Sequence, residues 1–125
     1  MWRRQQRQAL CRCGAITHSQ ADYVHQCTPC EAVEAAWRRV AARGGVTKES
    51  RIGYAVGLNY PPDWGEHTLS LRPGDTTVLE PNMTLHLILG IWQDDWGIEI
   101  SECFRVAERG AEPFCRFPRE LVVTG

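Results

Sequence analysis

Four residues have the side-chain types that acid–base chemistry needs. Glu66 and His67 stand side by side in NYPPDWGEHT, Tyr54 lies in GYAV, and His86 lies in LHLIL. A carboxylate and an imidazole held against a small ligand can exchange protons with it, and a phenol can orient or share one. Trp64, in the same stretch, adds an aromatic face suited to a cation. Pro61 and Pro62 fix extended backbone and restrict Tyr60, so 51–75 reads as a stiff, pocket-forming loop. The plainer alternative is a rigid surface connection with Trp64 docked on the core. His86 interrupts an apolar run; a satisfied core histidine is the plainer reading there too, because a buried imidazole needs a partner. Asp94 and Asp95 read as turn acids. Glu99 and Glu102 stand at odd separation in an alternating segment and so point to opposite faces. Glu99 goes with Ser101, and Glu102 with the isoleucines Ile98 and Ile100. A carboxylate on an apolar side needs a partner, which marks Glu102 as a substrate-binding candidate.

The elements that would position these groups are legible in outline. Thr28 can cap a helix, Pro29 suits its first position, and Glu31 completes a capping box. Val33, Ala36, Trp37 and Val40 fall on one face, and Gly44 and Gly45 stop the run, so a helix is expected over 29–43. RPGD (72–75) and EPNM (80–83) are turn signals around a short strand, TTVL. Residues 83–92 are almost continuously apolar and read as a central strand. QDDWG turns, 97–108 alternates as a second strand, ERGAEP turns again, and RELVVTG ends the chain as a strand. Residues 1–26 have no periodic apolar face and read as a poorly ordered extension. The element order is α+β: one main helix, then an antiparallel meander.

Bulk properties narrow the function. A chain of 125 residues has the size of one domain, and a net charge of −1 gives no electrostatic reason for nucleic acid or a membrane surface. No apolar run approaches the roughly 20 residues that span a bilayer, and the N-terminus lacks the apolar stretch of a secretory signal, so a cytoplasmic protein is expected. Cytoplasmic thiols stay reduced. Cys11 and Cys13, with Cys27, Cys30, His18 and His25, allow a zinc site to be imagined. Pro29 and Glu31 instead make CTPCE a helix start, so incidental cysteines, no metal and no cofactor are expected.

One stretch carries a family resemblance. CEAVEAAWRRV and KESRIGYAVGLNYPPDWGEHT, with LEPNMTLHLILGIW and DDWGIEISE, resemble the C-terminal part of the pita-bread hydrolases. That superfamily includes methionine aminopeptidase, Xaa-Pro peptidases and creatinase, and the wording is most similar to its ectoine hydrolase branch. The resemblance covers 27–125 and implies a partial pita-bread catalytic domain. In the metal-dependent peptidases a histidine and two glutamates bind metal where this chain has Tyr54, Ile88 and Ser101. The resemblance therefore implies metal-free hydrolysis of a C–N bond in a small cyclic amidine zwitterion. Tyr54, Glu66, His67 and His86 become acid–base and orienting candidates; Tyr60, Trp64, Trp92, Trp96 and Glu102 become substrate-binding candidates. It also implies a homodimer for the full-length family. The superfamily's sheet has a further half before the helix, and 1–26 look like a shifted reading frame, so a truncated, weakly active or inactive copy is expected. Two other readings stay open: an Xaa-Pro peptidase with two metals, and a small non-enzymatic α+β binding module.

Overall fold

The computed structural model describes residues 24, 26–60 and 65–118. One helix, α1 (Cys30–Arg43), precedes five strands: β1 (Gly53–Val56), β2 (Gly65–Leu71), β3 (Thr84–Trp92), β4 (Gly97–Ala107) and β5 (Gly110–Pro113). The strands form one antiparallel sheet in the order β2-β1-β3-β4-β5. The α+β class is as the sequence implies. β3, β4 and β5 follow one another as a meander; β3, however, pairs with β1, so the chain passes from β2 across to the other side of β1. No helix among the described residues is long and apolar enough to cross a membrane.

The helix forms where its apolar spacing places it. Cys30, Val33, Ala36, Trp37 and Ala41 are buried, and Val40 packs partly against the same core. The stop is a Schellman turn: Val46 N–H donates to the Ala41 carbonyl and Gly45 N–H to that of Ala42. Gly45 sits at φ 70°, a conformation that costs a Cβ-bearing residue. The start differs from the expected capping box. Pro29, extended at φ −71° and ψ 148°, is itself the cap residue, and no side chain caps the helix. Cys30 N–H donates to the Thr77 carbonyl and Glu31 N–H to that of Asp75, both at 2.9 Å. TTVL is therefore not a sheet strand. Its Thr77 carbonyl serves the helix N-terminus, and Val78 forms only an isolated bridge with Pro29.

The expected loop 51–75 is mostly sheet, with β1 and β2 running antiparallel. Between the pairs Tyr54↔Ser70 and Val56↔Gly65, β1 advances two residues while β2 advances five. Three extra residues, Glu66, His67 and Thr68, make a bulge, with His67 at φ 54°. The expected ERGAEP turn shrinks to Glu108–Arg109, because GAEP pairs with β4 as β5. Pro61, Pro62, Asp63, Trp64 and the RELVVTG segment lie outside the described residues, as do Cys11, Cys13, His18 and His25.

The sheet has two unlike faces. On one, Leu71, Gly53 and Leu87 align across three strands, as do Ala55, Leu85 and Phe104, and α1 covers them. Trp37, Ile52, Leu71, Leu85, Leu89 and Phe104 are all at most 2% exposed there. Buried Glu34 pairs with Arg38 one helical turn on, and the Arg38 guanidinium also donates to the Lys48 carbonyl, tying the helix to the chain that enters β1.

Candidate active site on the bare face of the sheet

Strand alternation sends the residues between the core positions to the other face, which is bare among the described residues. Strand pairing lines up Ser70, Tyr54, His86 and Cys103 in one row across β2, β1, β3 and β4. The next rows along β3 and β4 are Ile88 with Ser101, Gly90 with Glu99, and Trp92 with Gly97.

The first row is linked by contacts. The Tyr54 and His86 rings are 5.4 Å apart, tilted by 43°. The Arg51 guanidinium lies over the Tyr54 ring, 4.5 Å from its centre, and its Nη1 is 3.4 Å from Ser70 Oγ. His86 Nδ1 is 3.0 Å from Cys103 Sγ. Burial holds the His86 imidazole below its ordinary pKa, with Glu99 and Glu102 pulling the other way. Burial, reinforced by the Glu102 charge, raises the Cys103 thiol. Both groups are therefore neutral at pH 7, so this is not a thiolate–imidazolium pair primed for nucleophilic attack.

The outer rows supply charge and an aromatic surface. Ser101 Oγ donates to Glu99 Oε1 at 2.8 Å. Lys48 Nζ donates to the Gly90 carbonyl at 3.1 Å; burial lowers its pKa, while Glu99 raises it. Trp92 is 68% exposed, and its indole lies across Gly97, where any Cβ would collide with the ring. A Cβ on Gly90 would meet Trp92 Nε1 at 3.0 Å and Glu99 Oε2 at 3.3 Å. The indole and a carboxylate thus sit together above bare backbone.

Of the candidate residues read from sequence, the fold brings Tyr54, His86 and Trp92 to this face. Glu102 is a correction: it pairs with Leu87 and shares the helix-side face, opposite His86. Trp96 packs against the core instead of walling the row. Glu66 braces the connection after β1, its Oε1 accepting from Asn59 N–H at 3.0 Å. His67 is exposed in the bulge, and Tyr60 is 84% exposed in the connection. Arg51 and Cys103 went unread. Cys103 had a signal, since it stands two residues beyond Ser101 in an alternating strand; Arg51 lies outside any periodic segment.

Residues 2–108 match the profile of metallopeptidase family M24. The chain belongs to that family. The M24 match takes in most of the leading segment that the sequence reading sets apart at residue 26. An ectoine hydrolase from Halomonas elongata is 53% identical over 81 residues, 65% of this chain and 19% of that protein. An uncharacterised hydrolase/peptidase of Sinorhizobium fredii is 46% identical over 102 residues, 82% of this chain and 26% of that protein. The chain thus spans only about a fifth to a quarter of these relatives' length. Among solved structures, the prolidase of Pyrococcus horikoshii superposes with a TM-score of 0.80 over 98% of this chain and 34% of its own, at 17% identity. A dipeptidase from Mycobacterium ulcerans gives 0.77 at 25% identity, over 93% of this chain and 30% of its own. The chain therefore folds as a part of the M24 pita-bread fold.

The M24 family name implies metal, and a divalent cation needs several N or O donors converging on it. At the positions that match the family's ligands this face offers the phenol of Tyr54, the aliphatic Ile88 and, directly across from Ile88, the hydroxyl of Ser101. Among the described residues, no three of His, Cys, Asp and Glu are grouped to hold a metal ion. This donor set does not fit the M24 metal centre.

Proposed function

We propose that the bare face is part of the active site of a metal-independent hydrolase that opens a C–N bond in a small cyclic amidine zwitterion, as in ectoine. The observation that carries the reading is the Tyr54–His86–Cys103 row with Arg51 over Tyr54, and an apolar side chain and a hydroxyl where the peptidases carry carboxylates. The identity to the Halomonas elongata ectoine hydrolase over 65% of the chain supports it. The exposed Trp92 indole beside Glu99 suits the amidinium, and the Arg51 guanidinium suits the carboxylate.

In this reaction the oxygen of water bonds to the ring carbon between the two nitrogens. One ring C–N bond then breaks, and both hydrogens of the water end on nitrogen, leaving an amide and an amine. In this reading Tyr54 and His86 orient the ring and move protons. Glu66 and His67, in the bulge, are further acid–base candidates, and Tyr60 and Trp64 remain substrate-binding candidates.

Incubating the 125-residue chain with ectoine, with NMR following the ring-opened product, tests the reading. The expected result is slow opening that excess chelator leaves unchanged and that His86→Gln abolishes. Cleavage of an Xaa-Pro dipeptide only after Mn²⁺ is added would establish the peptidase reading instead.

A further inference from the structure

The M24 resemblance offers no role for Cys103, yet its sulfur lies 3.0 Å from His86 Nδ1 on a half-buried face. Neutral imidazole carries one hydrogen, on either Nδ1 or Nε2, and whatever occupies the other nitrogen decides which. Only one hydrogen fits between Nδ1 and the sulfur. A thiol sulfur is a poor acceptor, whereas an imidazole nitrogen lone pair is a good one. The arrangement that uses both groups best has the thiol S–H donating to Nδ1.

We propose that Cys103 is a positioning residue that locks His86 as its Nε2–H tautomer, making His86 a proton donor toward the substrate. The inference rests on the hydrolase reading for its purpose, though not for its geometry. In that state His86 can give a hydrogen bond or a proton at Nε2 and cannot accept one there, so it serves the departing nitrogen and not the attacking water. The pair of strands that holds the lock is rigid: His86 and Cys103 face each other in the middle of the β3–β4 ladder, with neighbours paired on both sides. The depressed imidazole and raised thiol agree with two neutral partners sharing one hydrogen.

The test is long-range ¹H–¹⁵N NMR of the ¹⁵N-histidine-labelled chain at pH 8, with the His86 signals assigned by their loss in His86→Gln. Wild type is expected to show a protonated Nε2 and a bare, hydrogen-bonded Nδ1. Cys103→Ala should shift the Nδ1 resonance toward its free value and bring up the Nδ1–H form, while Cys103→Ser, whose hydroxyl can still donate, should restore the wild-type pattern. A wild-type Nδ1–H signal overturns the proposal, as does a His86 pattern that Cys103→Ala leaves unmoved. Should Cys103→Ala fail to fold, the wild-type spectrum and Cys103→Ser decide between the same outcomes. Adding ectoine separates the two levels of the argument. If the tautomer is as stated and ectoine leaves His86 unmoved, the lock stands and the hydrolase reading falls.

Discussion

Leu87 and Ile88 are neighbours in β3, both branched and apolar, yet they live in different solvents. Leu87 is 4% exposed beneath α1, while Ile88 is half-buried on the bare face beside Ser101. One residue step separates the face that holds the molecule together from the face that carries its chemistry. On the helix side, alternation is filled mostly with Leu, Ile and Phe; on the other, Tyr, His, Cys, Ser and Glu are gathered around Ile88 and Trp92. Stability and function are therefore separable by strand parity, and five substitutions test how cleanly.

The largest effect is expected from Leu87→Asp, which places a charge in the core without a partner. Unfolding, or a loss of more than about 4 kcal/mol, is expected in urea denaturation. Ile88→Asp, one residue on, should cost about 1 kcal/mol or less. Equal losses would erase the distinction between the faces. Trp37→Ala removes the largest fully buried side chain of the helix and should lower stability by about 3–5 kcal/mol.

A smaller, pH-dependent effect belongs to Asp75, which anchors the turn after β2. Its burial works upward on the pKa, but the Thr77 side chain, the backbone N–H groups of Ser70 and Thr77 and the Arg72 charge outweigh it and hold the carboxyl below 3.8. A carboxyl with a depressed folded pKa contributes stability that is complete above its unfolded value and is lost as pH falls through the folded one. Asp75→Asn should therefore narrow the stability gap between pH 7 and pH 3, measured by thermal melts at both. An unchanged gap would mean that the turn does not depend on the charge. The smallest effect is Trp92→Ala, expected to cost about 1 kcal/mol or less because the indole is mostly exposed.

Legibility in the sequence follows the same physics. Helix α1 and strands β3 and β4 were readable because apolar periodicity is a local signal, and Gly44–Gly45 mark the stop. The helix cap was not, because its acceptors come from Asp75 and Thr77, more than thirty positions away. Strands β1 and β2 were hidden by the bulge at Glu66–Thr68, which breaks alternation, and by His67 in a left-handed conformation. On the site, parity already placed Glu99 and Glu102 on opposite faces. Choosing Glu102 failed because its face is the one the helix covers. The meeting of His86 with Cys103 depends on the register of the β3–β4 pair, which the turn at 93–96 sets and no single residue announces.

The claim beneath all of this is that the bare face meets its substrate through organic side chains alone. Titrating the labelled chain with ectoine in chelator-treated buffer, while following the His86 ring nitrogens, addresses it directly. The account predicts a saturable shift of His86 that Mn²⁺ or Co²⁺ does not alter. No response until such an ion is added, with two ions then bound per chain, would contradict it.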